Sequence, residues 1–252
     1  MKYLFFIISI FLIISCNPYQ YVASNQYVPL NKEKYEFNAA FTYNSFQLGY
    51  TPMNHIGVFY SRFRRNKMFE SDSFTSLFYR THYGRDGIEE WNMGCSYYSK
   101  FDSLVFEVLA GYGEGKMFYE NSKYLSNPSN YNFKIRANKS IYYLQPDLGI
   151  RYNKHVEFGL FTKIIFCQYL DITSTKNISS AYEIEHQDKY FLDKRNLNLY
   201  FIEPGMVARF GFEQFKLQFL ISKTINLNSR QINYQSMHCS ICLFLDLNFF
   251  NK

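Results

Sequence analysis

Four sets of residues in this 252-residue chain have types and spacings that chemistry could use. Gly111 to Lys116 (GYGEGK) is similar to a phosphate-cradling loop. Such a loop needs a longer spacing, a Ser or Thr after the lysine, and a helix behind it. Met117 follows instead, so these glycines are expected to ease curvature at the end of a strand. Cys239 and Cys242 form a CxxC pair, a spacing used by thiol redox centres and zinc sites. They sit in an alternating segment, where residues three apart point to opposite faces, and no second CxxC accompanies them. The five histidines, His55, His82, His155, His186 and His238, stand beside no recognisable nucleophile. No catalytic, cofactor-binding or metal-binding residue is assigned, no cofactor is expected, and the chain is not expected to be an enzyme. The fourth set is Glu107, Asp147, Arg151, His155, Glu157, Lys163, Glu203, Arg209, Lys216 and Asp246. All lie on the polar side of alternating segments. They would line a lumen, and their mixed signs predict ion pairing across a narrow interior.

A period-two pattern sets where these side chains point. Tyr142, Leu144, Pro146, Leu148, Ile150 and Tyr152 share one face; Gln145, Asp147, Gly149 and Arg151 share the other. Val156, Phe158, Leu160, Ile164 and Phe166 oppose His155, Glu157, Gly159 and Lys163. The same holds for Phe215, Leu217, Phe219 and Ile221 against Lys216, Gln218 and Ser222, and for Ile241, Leu243 and Leu245 against Cys242 and Asp246. One face is greasy; the other carries charge and glycine. In a membrane barrel the greasy face meets lipid, whereas in a soluble sandwich or ligand-holding barrel it turns inward. Strands of roughly 10–14 residues suit a tilted bilayer crossing. Aromatic residues make up 21% of the chain, with 24 Tyr and 27 Phe, a content that suits strands and interfacial girdles.

Strands are expected at 35–51, 55–65, 72–83, 91–100, 103–114, 139–152, 155–169, 196–210, 214–225 and 238–249. Tight turns at 101–102, 153–154 and 211–213 alternate with long polar connections at 115–138, 170–195 and 226–237, the membrane-barrel pattern. Phe37, Phe41 and Tyr43 are out of phase with Phe46, Leu48 and Tyr50, which calls for a bulge near Asn44 and Ser45 or a tight hairpin there. A hairpin would make eleven strands, so the bulge is preferred: about ten strands, with eight or twelve as alternatives. Pro146 and Pro204 each predict a local break or bulge, because proline cannot donate to a ladder.

At the N-terminus, Lys2 precedes an apolar run that ends Ile13-Ile14-Ser15-Cys16. This resembles a bacterial lipoprotein signal. It implies removal of residues 1–15 and lipid on the Cys16 thiol and amino group, outside the cytoplasm. The run is too short to span a bilayer comfortably, and nothing after Cys16 is long enough for a transmembrane helix. Residues 16–34 are read as an N-terminal tether and 35–250 as the barrel domain. The formal charge of +6 suits anionic headgroups or sugars. Arg62, Arg64, Arg65 and Lys67 are the densest basic cluster, expected to be a solvated strand end with lipid phosphate as its alternative contact. Nucleic acid is not an expected partner of an exported chain with no recognisable binding fold.

Several stretches carry a family resemblance: Tyr27 to Phe37 (YVPLNKEKYEF), Tyr50 to Gly57 (YTPMNHIG), Gly111 to Gly115 (GYGEG), Leu144 to Gly149 (LQPDLG) and Phe201 to Gly205 (FIEPG). With the lipid signal ahead of them, they resemble lipoprotein-signal-bearing outer-membrane β-barrel proteins of Bacteroidota. The chain departs from the common barrel ending in that Asn251 and Lys252 follow Phe249 and Phe250. The resemblance implies an all-β, up-and-down outer-membrane barrel and no particular activity. The expected protein is therefore a lipid-anchored barrel of structural or binding role, touching membrane lipid through acylated Cys16 and its exterior. Any extracellular ligand would be met at the long loops. The alternative is a soluble, lipid-tethered barrel that holds an apolar ligand inside.

Overall fold

In the computed structural model, which describes residues 21–23, 26–72, 81–123, 131–177, 196–228 and 234–248, eleven strands form one sheet, with no helix among the described residues. They are β1 (Glu36–Phe41), β2 (Ser45–Met53), β3 (Ile56–Asp72), β4 (Thr81–Phe101), β5 (Leu104–Lys123), β6 (Tyr131–Asn153), β7 (Val156–Asn177), β8 (Leu197–Gly211), β9 (Phe215–Lys223), β10 (Ile225–Asn226) and β11 (Met237–Asn248). From β1 to β9 each strand pairs antiparallel with the next, β9 pairs with β11, and β11 closes onto β1. β10 is an extra two-residue strand on the edge of β8. The result is the expected closed, antiparallel, ten-stranded barrel.

The count of ten hides two departures that cancel. Residues 42–44 make a hairpin, not a bulge. The Thr42 N–H donates to the Ser45 carbonyl at 2.9 Å, and the Thr42 hydroxyl bonds the Asn44 and Ser45 side chains. Short polar side chains that bond their own backbone neighbourhood favour a turn at the phase change. Conversely, the strand expected at 91–100 lies inside β4, which runs unbroken from Thr81 through residues 84–90, the gap left between two expected strands. Of the strand expected at 72–83, the ends belong to β3 and β4 and the middle falls outside the described residues.

Strands also run on into stretches expected as long loops: β5 to Lys123, β6 from Tyr131 and β7 to Asn177. There the outward residues Lys116, Arg136, Asn138, Asp171 and Thr173 are exposed and polar. The inward residues Met117, Ile135 and Ala137 are apolar and buried, so the alternation persists with its polarity reversed, and a strand with no apolar outer face reads as a loop. Pro146 causes no bulge. The β6–β7 register is the same on both sides of it, at Leu144↔Ile164 and Asp147↔Phe161. Pro204 falls where β8 hands over its partner, from β9 at Gly205↔Ser222 to β10 at Ile202↔Ile225. A missing N–H is harmless at such a gap.

At one end of the barrel the connections are the short turns 54–55, 102–103, 154–155 and 212–214. The other end holds 42–44 and the longer stretches 73–80, 124–130, 178–196 and 227–236. The greasy faces point out: Leu148, Leu160 and Leu217 are 42%, 57% and 52% exposed. The charged faces point in: Lys163, Arg209 and Lys216 are at most 5% exposed. The alternative with apolar faces turned inward around a ligand is therefore corrected.

On the exterior of β6 every described outward residue from Tyr142 to Tyr152 is apolar or aromatic. Ten residues at about 3.3 Å each, tilted near 40°, give a band about 25 Å tall. Tyr112, Tyr142, Phe166 and Tyr200 lie side by side on β5 to β8 at the upper edge, with ring centroids 5.0, 6.0 and 5.1 Å apart. Trp91 adds an edge contact to Tyr112 at 6.0 Å. Exposed Tyr97, Phe101, Tyr152 and Phe212 mark the lower edge, by the short turns. Just above Trp91 the exterior turns polar with the Arg62–Glu89 ion pair.

Candidate functional site

The lumen is filled by the chain's own N-terminal segment. The reading of residues 16–34 as a tether is corrected for its described part: residues 21–23 and 26–31 are buried inside the barrel. Cys16 and the signal at 1–15 lie outside the described residues. The segment starts near the long-connection end, where Tyr21 forms a parallel bridge with Tyr234 and its carbonyl accepts from the Gln235 N–H at 2.9 Å. It finishes at the short-turn end, where the Tyr35 N–H bonds the Thr51 carbonyl and β1 begins. An extended segment buried without a strand partner needs other groups to satisfy its peptide units. The inward-facing polar side chains supply them.

At the short-turn end Glu157 is surrounded by cations. Lys32 Nζ lies 2.7 Å away, Arg209 3.2 Å, Arg151 3.5 Å and Lys216 3.6 Å. Asp246 shares Lys32 at 3.2 Å and Lys216 at 3.6 Å. Glu36 accepts the Lys32 N–H at 2.7 Å. The four cations around Glu157 are offset in part by Asp246, which shares two of them, and charges buried this deeply need partners. Arg209, fully buried, also donates to the Pro29 carbonyl at 3.2 Å, to the Val28 carbonyl and to Gln218 at 2.9 Å. Its guanidinium lies 3.6 Å from the Phe244 ring centroid. A fork of this kind can read two consecutive peptide carbonyls, which a lysine cannot.

One layer further in, Asn31 gives Glu107 both its backbone N–H, at 3.1 Å, and its side-chain amide, at 2.6 Å. Gln145 donates to the Tyr27 carbonyl at 2.7 Å and to Asp147 at 3.0 Å. Lys163 lies 4.0 Å over the Tyr143 ring. Higher still, Glu203 accepts from Tyr21 at 2.9 Å, from Thr224 at 3.1 Å and from Gln26. At the long-connection end the wall is mainly apolar, with the buried Lys139–Glu90 ion pair set into it. Tyr21, Val22 and Ala23 pack among Phe63, Ile88, Met117, Ile135, Leu199 and Phe201, and the Tyr21 ring stacks on Phe201 at 3.9 Å.

Glycines on the charged faces make room for this segment. A Cβ on Gly49 would overlap the Tyr27 hydroxyl at 1.6 Å, and one on Gly149 would meet Leu30 at 2.6 Å. Gly159, opposite Gly149 in register, also faces Leu30. Leu30 itself has φ +53°, a left-handed conformation uncommon outside glycine, so the wall holds it in place.

The nine charged residues expected to line a lumen all face inward, with Arg151 and Asp246 only partly buried at the short-turn rim. The expected ion pairing is present, Glu157 with Arg151, Arg209 and Lys216 and Asp246 with Lys216, but it is shared with the N-terminal segment. Glu107, Glu157, Glu203, Arg209 and Asp246 each bind the N-terminal segment directly. His155 does not line the lumen: it sits exposed in the 154–155 turn, its Nδ1 2.8 Å from the Gly211 carbonyl oxygen. Sequence reasoning missed Gln26, Asn31, Lys32, Glu36 and the buried Lys139–Glu90 ion pair. Gly149 and Gly159 on an otherwise charged face were the signal that something packs there. Cys239 is exposed and Cys242 buried, on opposite faces as expected. Gly111 to Lys116 lies within β5, not at a strand end.

Fold and lumen together define a class: a closed barrel with an apolar belt outside and a self-filled polar core. No family model matches the chain, and no curated protein matches it. Among solved structures the chain is similar to CarO of Acinetobacter baumannii, at 10% identity and a TM-score of 0.33, over 70% of this chain and 96% of that one. A likeness this distant adds nothing to what the exterior and lumen state themselves.

Proposed function

We propose that this protein is a lipid-anchored outer-membrane β-barrel with a structural or binding role and no catalysis. Its lumen is closed by its own N-terminal segment, and any extracellular ligand is met at the long-connection end. The observation that carries the reading is the outward apolar band, about 25 Å tall and bordered by aromatic residues at both edges, the height of a membrane barrel's belt. A soluble barrel would lose stability by leaving Leu148, Leu160, Leu217 and Ile241 in water. The binding rather than catalytic role is supported by the engagement of Glu107, Glu157, Glu203 and Arg209 in holding the segment. His55 is likewise committed, to the Tyr98 carbonyl at 2.9 Å.

The test exports a Cys16→Ser chain on a non-lipoprotein signal, so that only the barrel can hold it in a membrane. The expected result is retention in carbonate-washed outer membranes, with faster gel migration before boiling than after. A dispersed monomer in detergent-free buffer would sink the membrane reading. Lipid hydrolysis by the purified barrel that disappears in His238→Ala would sink the non-catalytic one.

A further inference from the structure

We infer that the lipid on Cys16 lies in the membrane leaflet on the long-connection side. This rests on the lipoprotein and membrane readings proposed above. The direction of the lumenal segment comes first. Lys32 is anchored at the short-turn end by Glu157 and Asp246, and Tyr21 is bridged to Tyr234 at the other end. Chain upstream of Tyr21 therefore continues from the long-connection end.

The depth of Tyr21 comes second. Its ring stacks on Phe201, the residue after Tyr200, which belongs to the upper aromatic row. Tyr21 is thus already level with the upper edge of the apolar band. Reach is the third constraint. Cys16 is five positions upstream of Tyr21, and five extended steps span at most about 18 Å. The opposite edge of the band is about 25 Å away, and residues 26–32 occupy the way back. The opposite leaflet is out of reach, whereas the near one is adjacent.

The shape of the rim completes the argument. β8 begins at Leu197, three residues above Tyr200, whereas β6 begins at Tyr131, eleven residues above Tyr142. The wall is low where Tyr21 meets Phe201 and tall across the barrel. Since long connections of such barrels face outward, the leaflet is the outer one. The acyl chains would then lie alongside the upper exterior of the low wall, where Tyr200, Ile225, Leu227 and Met237 are exposed.

Single cysteines test this placement, in a chain carrying Cys95→Ser and Cys239→Ser. Tyr19→Cys probes the upstream chain. Tyr43→Cys reports the long-connection end, where Tyr43 is 98% exposed in the 42–44 turn. Lys154→Cys reports the short-turn end. Intact cells are treated with a membrane-impermeant maleimide, and folding of each variant is read from its heat-modifiable band. The expected result is that positions 19 and 43 label at least tenfold more than position 154 before permeabilisation, and that position 154 catches up afterwards. All three chains should take up alkynyl palmitate, and Cys16→Ser should abolish uptake. Labelling of position 19 only after permeabilisation, with position 43 labelled before it, overturns the inference. Outside labelling of position 19 with no fatty acid on any chain overturns the lipid anchor but leaves the threading intact, so the two failures are distinguishable.

Discussion

The two ends of the lumenal segment are held by different physics. Toward the short turns, residues 27–32 meet named polar partners: Gln145 on the Tyr27 carbonyl, Arg209 on Val28 and Pro29, Glu107 on Asn31, and Glu157 with Asp246 on Lys32. Toward the long connections, Tyr21 to Ala23 meet mainly aliphatic and aromatic wall. Directional, charge-assisted bonds fix register, because a one-residue slip would orphan several buried groups at once. Apolar burial excludes water but is not directional. The comparison teaches that the lower end specifies where the segment lies and the upper end seals it.

The largest expected effect lies at the specifying end. Arg209→Ala leaves Glu157 short of a partner and strips two carbonyls of their donor. It should cost about 3–5 kcal/mol in the urea unfolding of the vesicle-inserted barrel. A cost below about 1 kcal/mol would erase the contrast. A smaller effect separates two glycines. Gly49→Ala puts a methyl where the rigid Tyr27 ring stands, and overpacking of that kind costs about 1–3 kcal/mol. Gly149→Ala meets only the flexible end of Leu30 and should cost less in the same assay; the reverse order would place the register constraint elsewhere. The smallest effect belongs to the sealing end. Val22→Ala removes two buried carbons, about 1.6 kcal/mol of transfer free energy, and should leave the labelling at position 19 unchanged. If it shifts that labelling, the upper end sets register too.

The exterior was legible in the sequence because an apolar outer band demands a simple thing of a strand, an apolar residue at every second position. Tyr142 to Tyr152 meets that demand throughout, and its orientation followed directly. Legibility stopped where the demand stops. Above the band, Lys116, Arg136 and Asp171 face outward while Met117, Ile135 and Ala137 face inward, so the alternation reverses its polarity and β5 to β7 were expected to end early. The hairpin at 42–44 and a bulge give the same phase shift, and only the local bonds of Thr42 decide between them. The lumenal occupant was hidden for another reason. Gln26, Asn31 and Lys32 have the composition of a solvated linker, and their partners lie 76 to 214 residues away, at Glu203, Glu107, Glu157 and Asp246. Proximity of that kind leaves no periodic trace.

The closure of β11 onto β1 has a consequence for the order of assembly. It spans only six paired positions, from Glu36↔Asn248 to Phe41↔Leu243, and lies immediately downstream of Lys32. With the acyl groups proposed on Cys16, the chain end cannot be drawn through a bore this full. The ring must therefore wrap around its own beginning, with this short seam zipping last, so that every barrel that closes does so already loaded.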